Sequence, residues 1–143
     1  MINTFSKDHI EQIFNIEKVN FRNPWEINEF DTYCAQPMKF LSYVYSKSSK
    51  VIGYLMSEII IDEVHIHNIA VEKKYQNNKV GLKLVKYLVK QSKLLDKNKI
   101  CLEVDSTNVP ALKLYKNLGF VKVGQRKRYY NDSIDAILMD LIL

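Results

Sequence analysis

From Val64 to Val104 the chain reads VHIHNIAVEKKYQNNKVGLKLVKYLVKQSKLLDKNKICLEV, and this stretch decides the fold. Residues 64–71 are rich in β-branched side chains and read as a strand. The period then changes. Val80, Leu84, Val85, Leu88 and Val89 mark one face of a helix, while Lys83, Lys86, Lys90 and Lys93 lie off it. Residues 99–104 return to strand. A strand, a helix and a second strand of these lengths form a βαβ unit inside a sheet.

Upstream, residues 51–61 read as a long strand and residues 39–46 as another, with Ser46 to Lys50 as the turn between them. Asp62 and Glu63 turn the chain into the strand at 64–71, so the middle of the chain is an antiparallel meander. Residues 2–5 suit a short first strand. Asp8 and Glu11 are a possible capping pair for a helix carrying Ile10, Ile13, Phe14, Ile16 and Val19. Asn23-Pro24-Trp25-Glu26 reads as a second helix start, running to about Cys34. Downstream, a helix fits 108–117 and ends at Leu118-Gly119, where glycine can take the left-handed conformation. Residues 120–124 and 135–142 close the sheet. The expected order is β-α-α-β-β-β-α-β-α-β-β, a mixed α/β (α+β) fold with a central, mostly antiparallel sheet flanked by helices. Without a repeat or a composition break, residues 1–143 are expected to form a single domain.

Only 4 Gly and 3 Pro leave no room for a long flexible linker. The net charge of +5 favours anionic partners, without choosing among nucleotide cofactor, nucleic acid and membrane. Two isolated cysteines, Cys34 and Cys101, do not make a disulfide framework. Cys101, inside an apolar run, reads as a small core residue. The first residues show no secretory pattern, and no apolar run approaches membrane-spanning length, so a cytoplasmic location is expected.

Three segments could carry chemistry. The linker from Glu72 to Gly81 joins a strand to a helix N-terminus, where free N–H groups and the helix dipole attract anions and Gly81 allows close approach. On these residues alone, an ordinary helix start with a polar loop is the better reading. Glu103 is a carboxylate in an apolar strand, facing away from Leu102 and Val104. It is either a solvated strand residue or a general base at the open end of the βαβ unit. In the third segment, Asn108 to Phe120, Asn108 suits an N-cap and Tyr115 falls on the apolar stripe. His65 and His67 share a strand face, but no third ligand is in sequence reach, so no metal site is expected. Arg126-Lys127-Arg128-Tyr129-Tyr130 mixes charge with aromatics, as nucleic-acid binders do.

Taken together, Asn23-Pro24-Trp25, His67-Asn68-Ile69-Ala70-Val71, Tyr75-Gln76 through Gly81, Leu102-Glu103-Val104, Asn108 through Phe120, and Arg128-Tyr129-Tyr130 with Asp135-Ala136 resemble the GCN5-related N-acetyltransferase superfamily. They stand in the family's order and cover most of the chain. The resemblance implies an acetyltransferase with acetyl-coenzyme A as co-substrate and no metal. It implies that the strand at Ile69, Ala70 and Val71 splays from its neighbour to hold the pantetheine arm. It implies that Asn77, Asn78, Lys79, Val80, Gly81 and Leu82 cradle the pyrophosphate and that Asn108 contacts the cofactor. Glu103 matches the family's proton acceptor and Tyr115 its proton donor. The branch it looks most like modifies the N-terminal α-amine of an alanine-initiated small-subunit ribosomal protein, so a protein N-terminus is the implied partner, with no direct nucleic-acid or membrane partner. The alternatives are a lysine side chain or small amine as acceptor, or a non-catalytic module that binds coenzyme A.

Lys79 stands where the family usually has glycine, and Asp105 where the nearest branch often has arginine. Glu26, Glu29, Asp62, Glu63 and Asp105 are expected to favour a basic acceptor peptide.

Overall fold

The computed structural model describes residues 1–131 and 133–143, with Tyr130 and Asn131 described in backbone only. Seven strands form one sheet: β1 (Ile2–Thr4), β2 (Tyr43–Lys47), β3 (Lys50–Ile60), β4 (Glu63–Val71), β5 (Lys99–Asp105), β6 (Val121–Asn131) and β7 (Ile134–Ile142). Their spatial order is β1-β2-β3-β4-β5-β7-β6. β4 and β5 are parallel, and every other neighbouring pair is antiparallel. This is the expected meander followed by a βαβ unit and a closing hairpin.

The helices α1 (Ile10–Asn20), α2 (Glu29–Ala35), α3 (Val80–Leu94) and α4 (Val109–Asn117) cover the sheet. Val80, Leu84, Val85 and Leu88 of α3 pack with Ile52, Leu55, Ile66, Ile100, Leu102 and Val104 on one face. Ile13, Ile16 and Phe30 from α1 and α2 pack with Val44, Tyr54, Met56 and Ala70 on the other. Burial alternates along β5: Ile100, Leu102 and Val104 are buried, with half-buried residues between them. Cys101 is therefore corrected from a core residue to a half-buried one on the opposite face from Ile100 and Leu102.

Two helix starts differ from the sequence expectation. Ahead of α1, the chain turns through Lys7–His9, and the Ser6 N–H donates to His9 Nδ1 at 3.0 Å. The cap is thus Ser6 with His9, not Asp8 with Glu11. α2 begins at Glu29 instead of near Asn23, and the Glu29 carboxylate reaches back to the Glu26 N–H at 3.2 Å. The reason lies in Trp25. Its N–H is held by Glu17 at 2.9 Å, and its ring packs against Phe30 and Tyr33. Residues 23–28 therefore approach the helix without entering it. The end of α4 follows expectation: Gly119 has φ +97°, and the Phe120 N–H donates to the Tyr115 carbonyl at 3.0 Å.

β3 and β4 meet with one irregularity. Met56 pairs with Asn68, but Ser57 pairs with Ile66, so His67 is an extra residue in β4. Such a bulge shifts the inward–outward alternation by one residue. Val64 and Ile66 pack on the α3 face, whereas Ala70 packs on the α1 face. Asn68 also turns to the α1 face, where its Nδ2 donates to Glu17 Oε1 at 2.5 Å. Glu17 is 1% exposed and also accepts from the buried Tyr54 hydroxyl. Burial and the adjacent Glu17 push the Tyr54 phenol upward, so it stays protonated and donates.

Replacing Glu17 by alanine leaves the Tyr54 hydroxyl, the Asn68 amide and the Trp25 N–H without their shared acceptor. Chemical denaturation is expected to show a loss of roughly 3 kcal/mol. A loss within about 0.5 kcal/mol, typical of surface substitutions, would show that the network contributes nothing to the fold.

Candidate active site

Parallel strands in a βαβ unit normally pair along their length. Here β4 and β5 pair only from Glu63↔Lys99 to Ile66↔Leu102. Beyond that point β5 continues to pair with β7, Glu103↔Leu138 through Asp105↔Ala136. β4 continues to pair with β3 up to Val71↔Gly53. Among the described residues, His67 to Val71 have no partner on β5. The two strands part, and the edge of Ile69, Ala70 and Val71 faces a gap.

Glu103 is the first β5 residue past the last pair. It lies on the face of β5 opposite Leu102 and Val104, half-buried, with Oε1 at 3.2 Å from Arg126 Nη2. The Arg126 guanidinium lies 5.2 Å from the Tyr129 ring centroid. Arg126 and Tyr129, read from sequence as part of a basic aromatic patch, thus border Glu103. The side chain of Tyr130 lies outside the described residues. Tyr115 is buried in the α3-face cluster with Leu102 and Val104, its ring edge-on to Phe120 at 5.5 Å. Glu103 and Tyr115 therefore lie on opposite faces of the sheet.

The linker to α3 has a special backbone. Asn77 and Lys79 both adopt positive φ, 69° and 64°. Lys79 is the residue preceding the first turn of α3 and sits in the left-handed region, which glycine occupies without penalty. The conformation of a glycine is thus kept here by a lysine. A Cβ on Gly81 would meet nothing closer than Leu114 Cδ2 at 3.7 Å. Packing alone does not require glycine at 81. Gly53 is different: a Cβ there would meet Val80 Cγ1 at 2.9 Å, so the start of α3 rests directly on β3. The Gln76 amide donates to both the Val71 carbonyl and Asn20 Oδ1 at 3.1 Å, joining the linker to β4 and α1. Asn108 is the N-cap of α4, with Oδ1 accepting from the Ala111 N–H at 3.2 Å.

On the Glu103 face the bulge residue His67 forms a group the sequence did not reveal. The Tyr33 hydroxyl is 2.7 Å from His67 Nδ1, and Glu58 Oε1 is 3.7 Å from Nε2. Burial, then Glu58 and Glu29, push the Tyr33 phenol up to about 12. With its proton retained, the Tyr33 hydroxyl can donate to Nδ1, the arrangement that leaves the proton of a neutral ring on Nε2, facing the Glu58 carboxylate. Burial holds His67 below its ordinary value, outweighing the opposite pull of Glu58. The only sequence signal was a histidine next to Asn68-Ile69-Ala70-Val71; its phenol partner is 34 residues away.

Of the acidic residues expected near an acceptor peptide, Asp62 and Glu63 are at the paired end of β4, away from the gap. Asp105 is engaged in its own turn, accepting from the Thr107 N–H at 2.7 Å and the Thr107 hydroxyl at 2.6 Å.

This arrangement of parted strands, left-handed linker and capped α4 falls within a recognised class. Residues 10–120 match the acetyltransferase (GNAT) family, and the chain belongs to it. It is an N-acetyltransferase with acetyl-CoA as co-substrate. A Bacillus subtilis protein, provisionally named a [ribosomal protein bS18]-alanine N-acetyltransferase, is 32% identical over 92% of this chain and 88% of its own length. The [ribosomal protein bS18]-alanine N-acetyltransferase of Escherichia coli K12 is 27% identical over 98% of this chain and 95% of its own. The crystal structure of the Escherichia coli ribosomal-protein-S18-alanine N-acetyltransferase superposes with a TM-score of 0.91, 27% identity, covering 99% of this chain and 92% of that one. Ard1 from Thermoplasma volcanium also superposes at 0.91, with 26% identity over 100% and 97% of the two chains. No helix among the described residues is long and apolar enough to cross a membrane.

The His67 ring is expected to titrate below 6.5 and to carry its neutral proton on Nε2. The stability this neutral ring contributes is complete above pH 6.5 and is lost as the pH falls through the lowered value. An NMR pH titration of the ring nitrogens checks both; a midpoint above 6.5 would contradict the assignment.

Proposed function

We propose that this enzyme transfers the acetyl group of acetyl-CoA to the N-terminal α-amine of a protein, an alanine-initiated small-subunit ribosomal protein, in the cytoplasm. The observation that carries the chemistry is the parting of β4 from β5 beyond Ile66 and Leu102, with Glu103 at its rim. The relatives of matching length support the acceptor, since their names specify the alanine of a ribosomal protein.

In this reading the pyrophosphate lies on the linker from Asn77 to Leu82, against the N-terminus of α3. Gly81 then serves the ligand, which explains a glycine that packing does not demand. Asn108 caps α4 through Oδ1 and offers its amide Nδ2 to the cofactor. The pantetheine arm lies along the edge of Ile69, Ala70 and Val71, and a backbone N–H there polarises the thioester carbonyl.

The acceptor enters from the Glu103 face. An α-amine has a reference pKa near 7.7–8.0, so roughly a tenth is neutral at pH 7 and a modest base suffices. Glu103 takes the amine proton, directly or through one water. The amine nitrogen bonds to the thioester carbon, the tetrahedral oxyanion collapses, and the carbon–sulfur bond breaks. The leaving thiolate takes the Tyr115 phenol proton from the other face. Base and acid on opposite faces match the order of events, because the amine arrives on one side and the thiol departs on the other.

Two measurements test this. Glu103→Gln is expected to lower kcat on an Ala-initiated basic peptide by about 10²–10⁴, the usual range for general base catalysis, with acetyl-CoA binding nearly unchanged. Full activity in that variant would require another base. The parent protein should also prefer this peptide to free polyamines and to internal lysine peptides; the reverse preference would move the acceptor to a small amine or a side chain. Separately, Gly81→Ala is expected to weaken acetyl-CoA binding while leaving the thermal midpoint equal or higher, because alanine favours a helix over glycine by about 1 kcal/mol. Unchanged affinity would remove the linker from the pyrophosphate site.

A further inference from the structure

The acetyl-transfer reading leaves one cluster of donor atoms unused. It lies at the paired end of β4 and β5, on the Glu103 face. Glu63 and His65 are two residues apart on β4 and project from the same face. Parallel pairing places His65 opposite Cys101 on β5. Glu63 Oε1 is 3.0 Å from His65 Nε2 and 3.8 Å from Cys101 Sγ. All three donor atoms lie within 4.8 Å of one another, and all three residues are half-buried. With bonds of 2.0–2.3 Å, neighbouring ligands of a tetrahedral zinc ion stand about 3.3–3.8 Å apart. The cluster is thus close to the spacing such an ion needs.

Lys99 completes the arrangement. Its Nζ is 3.3 Å from Glu63 Oε2 and 3.3 Å from Asp140 Oδ2. The ammonium therefore holds the oxygen of Glu63 that points away from the cluster, leaving Oε1 toward His65 and Cys101. An outer partner on a ligating carboxylate is the usual way such a ligand is oriented. Asp140 stands opposite Cys101 on β7, a further carboxylate beside the thiol.

We propose that Glu63 Oε1, His65 Nε2 and Cys101 Sγ form a three-ligand site for a borderline-soft divalent cation, zinc foremost, with the fourth position taken by water. One thiolate and one imidazole select against magnesium and calcium, which take oxygen ligands. Burial and the Asp140 and Glu63 carboxylates push the Cys101 thiol up to about 12; the bound ion displaces that proton to solvent as the sulfur–metal bond forms, and the imidazole hydrogen that lies between His65 Nε2 and Glu63 Oε1 moves to Nδ1, so that a neutral ring ligates through Nε2. The site is separate from acetyl transfer, and its test does not depend on activity.

The full-length protein is titrated with Co²⁺ and then Zn²⁺. A thiolate-to-cobalt charge-transfer band is expected, bleached as zinc replaces cobalt. Cys34→Ser should keep the band and Cys101→Ser should lose it, while His65→Ala and Glu63→Gln should each weaken zinc binding at least about tenfold. Absence of the band in the parent protein, or its survival in Cys101→Ser, would overturn the proposal. Should Cys101→Ser fail to fold, alkylation of the parent protein decides instead. Zinc should slow labelling of Cys101 but not of Cys34, and equal labelling with and without zinc would overturn the site.

Discussion

The constraint on which the molecule depends is that β5 follows β7 while β4 follows β3. Both strands keep their antiparallel partners to the end, and the parallel pairing between them stops at Ile66 and Leu102. An interrupted ladder inside a sheet leaves backbone N–H and C=O groups unpaired, which is costly unless something else satisfies them. A ligand with an extended amide chain is one thing that does. The gap is thus a local defect in the sheet with the chemical character of a binding slot.

Its position is held from the α1 face. The extra residue His67 shifts the alternation of β4, so that Asn68 points to Glu17 and its own ring to Tyr33. Glu17 is buried with acceptor oxygens occupied by Tyr54, Asn68 and the Trp25 backbone. One carboxylate therefore joins α1, the segment before α2, and the two strands at the bulge. A buried carboxyl group with this many partners resists movement, since displacing it leaves all three donors unpaired. From the opposite face, the contact of Val80 with Gly53 sets the height of α3 over β3.

The same parting resolves what looks at first like a conflict. Glu103 and Tyr115 are separated by the sheet, and a closed sheet would keep them from acting on one substrate. In the reaction proposed above, a group on each face serves the reactant that arrives on its side. The Arg126 ion pair keeps Glu103 at the rim, and the Tyr33–His67–Glu58 group forms polar wall beside it. These residues come from β3, α2, the bulge of β4 and the middle of β6.

The order of elements was legible from hydrophobic period alone: the β-branched run at 64–71, the apolar stripe from Val80 to Val89, and the glycine ending α4 each act over short spans of chain. Motif residues could be named for the same reason, because Leu102-Glu103-Val104 and the turn before Gly81 are local patterns. The starts of α1 and α2 were misplaced because Ser6 and Trp25 have partners, His9 and Glu17, that outcompete the apparent caps. The side of the sheet on which Cys101 and His67 lie, the third donor near His65, and the partner of Glu103 are set by strand register. Register depends on which strands meet, and a chain read one residue at a time does not encode that in any local pattern. Sequence by itself determined the order of the elements and named the candidate side chains; the tertiary structure alone decided where β4 leaves β5, because that follows from pairing energies summed across four strands.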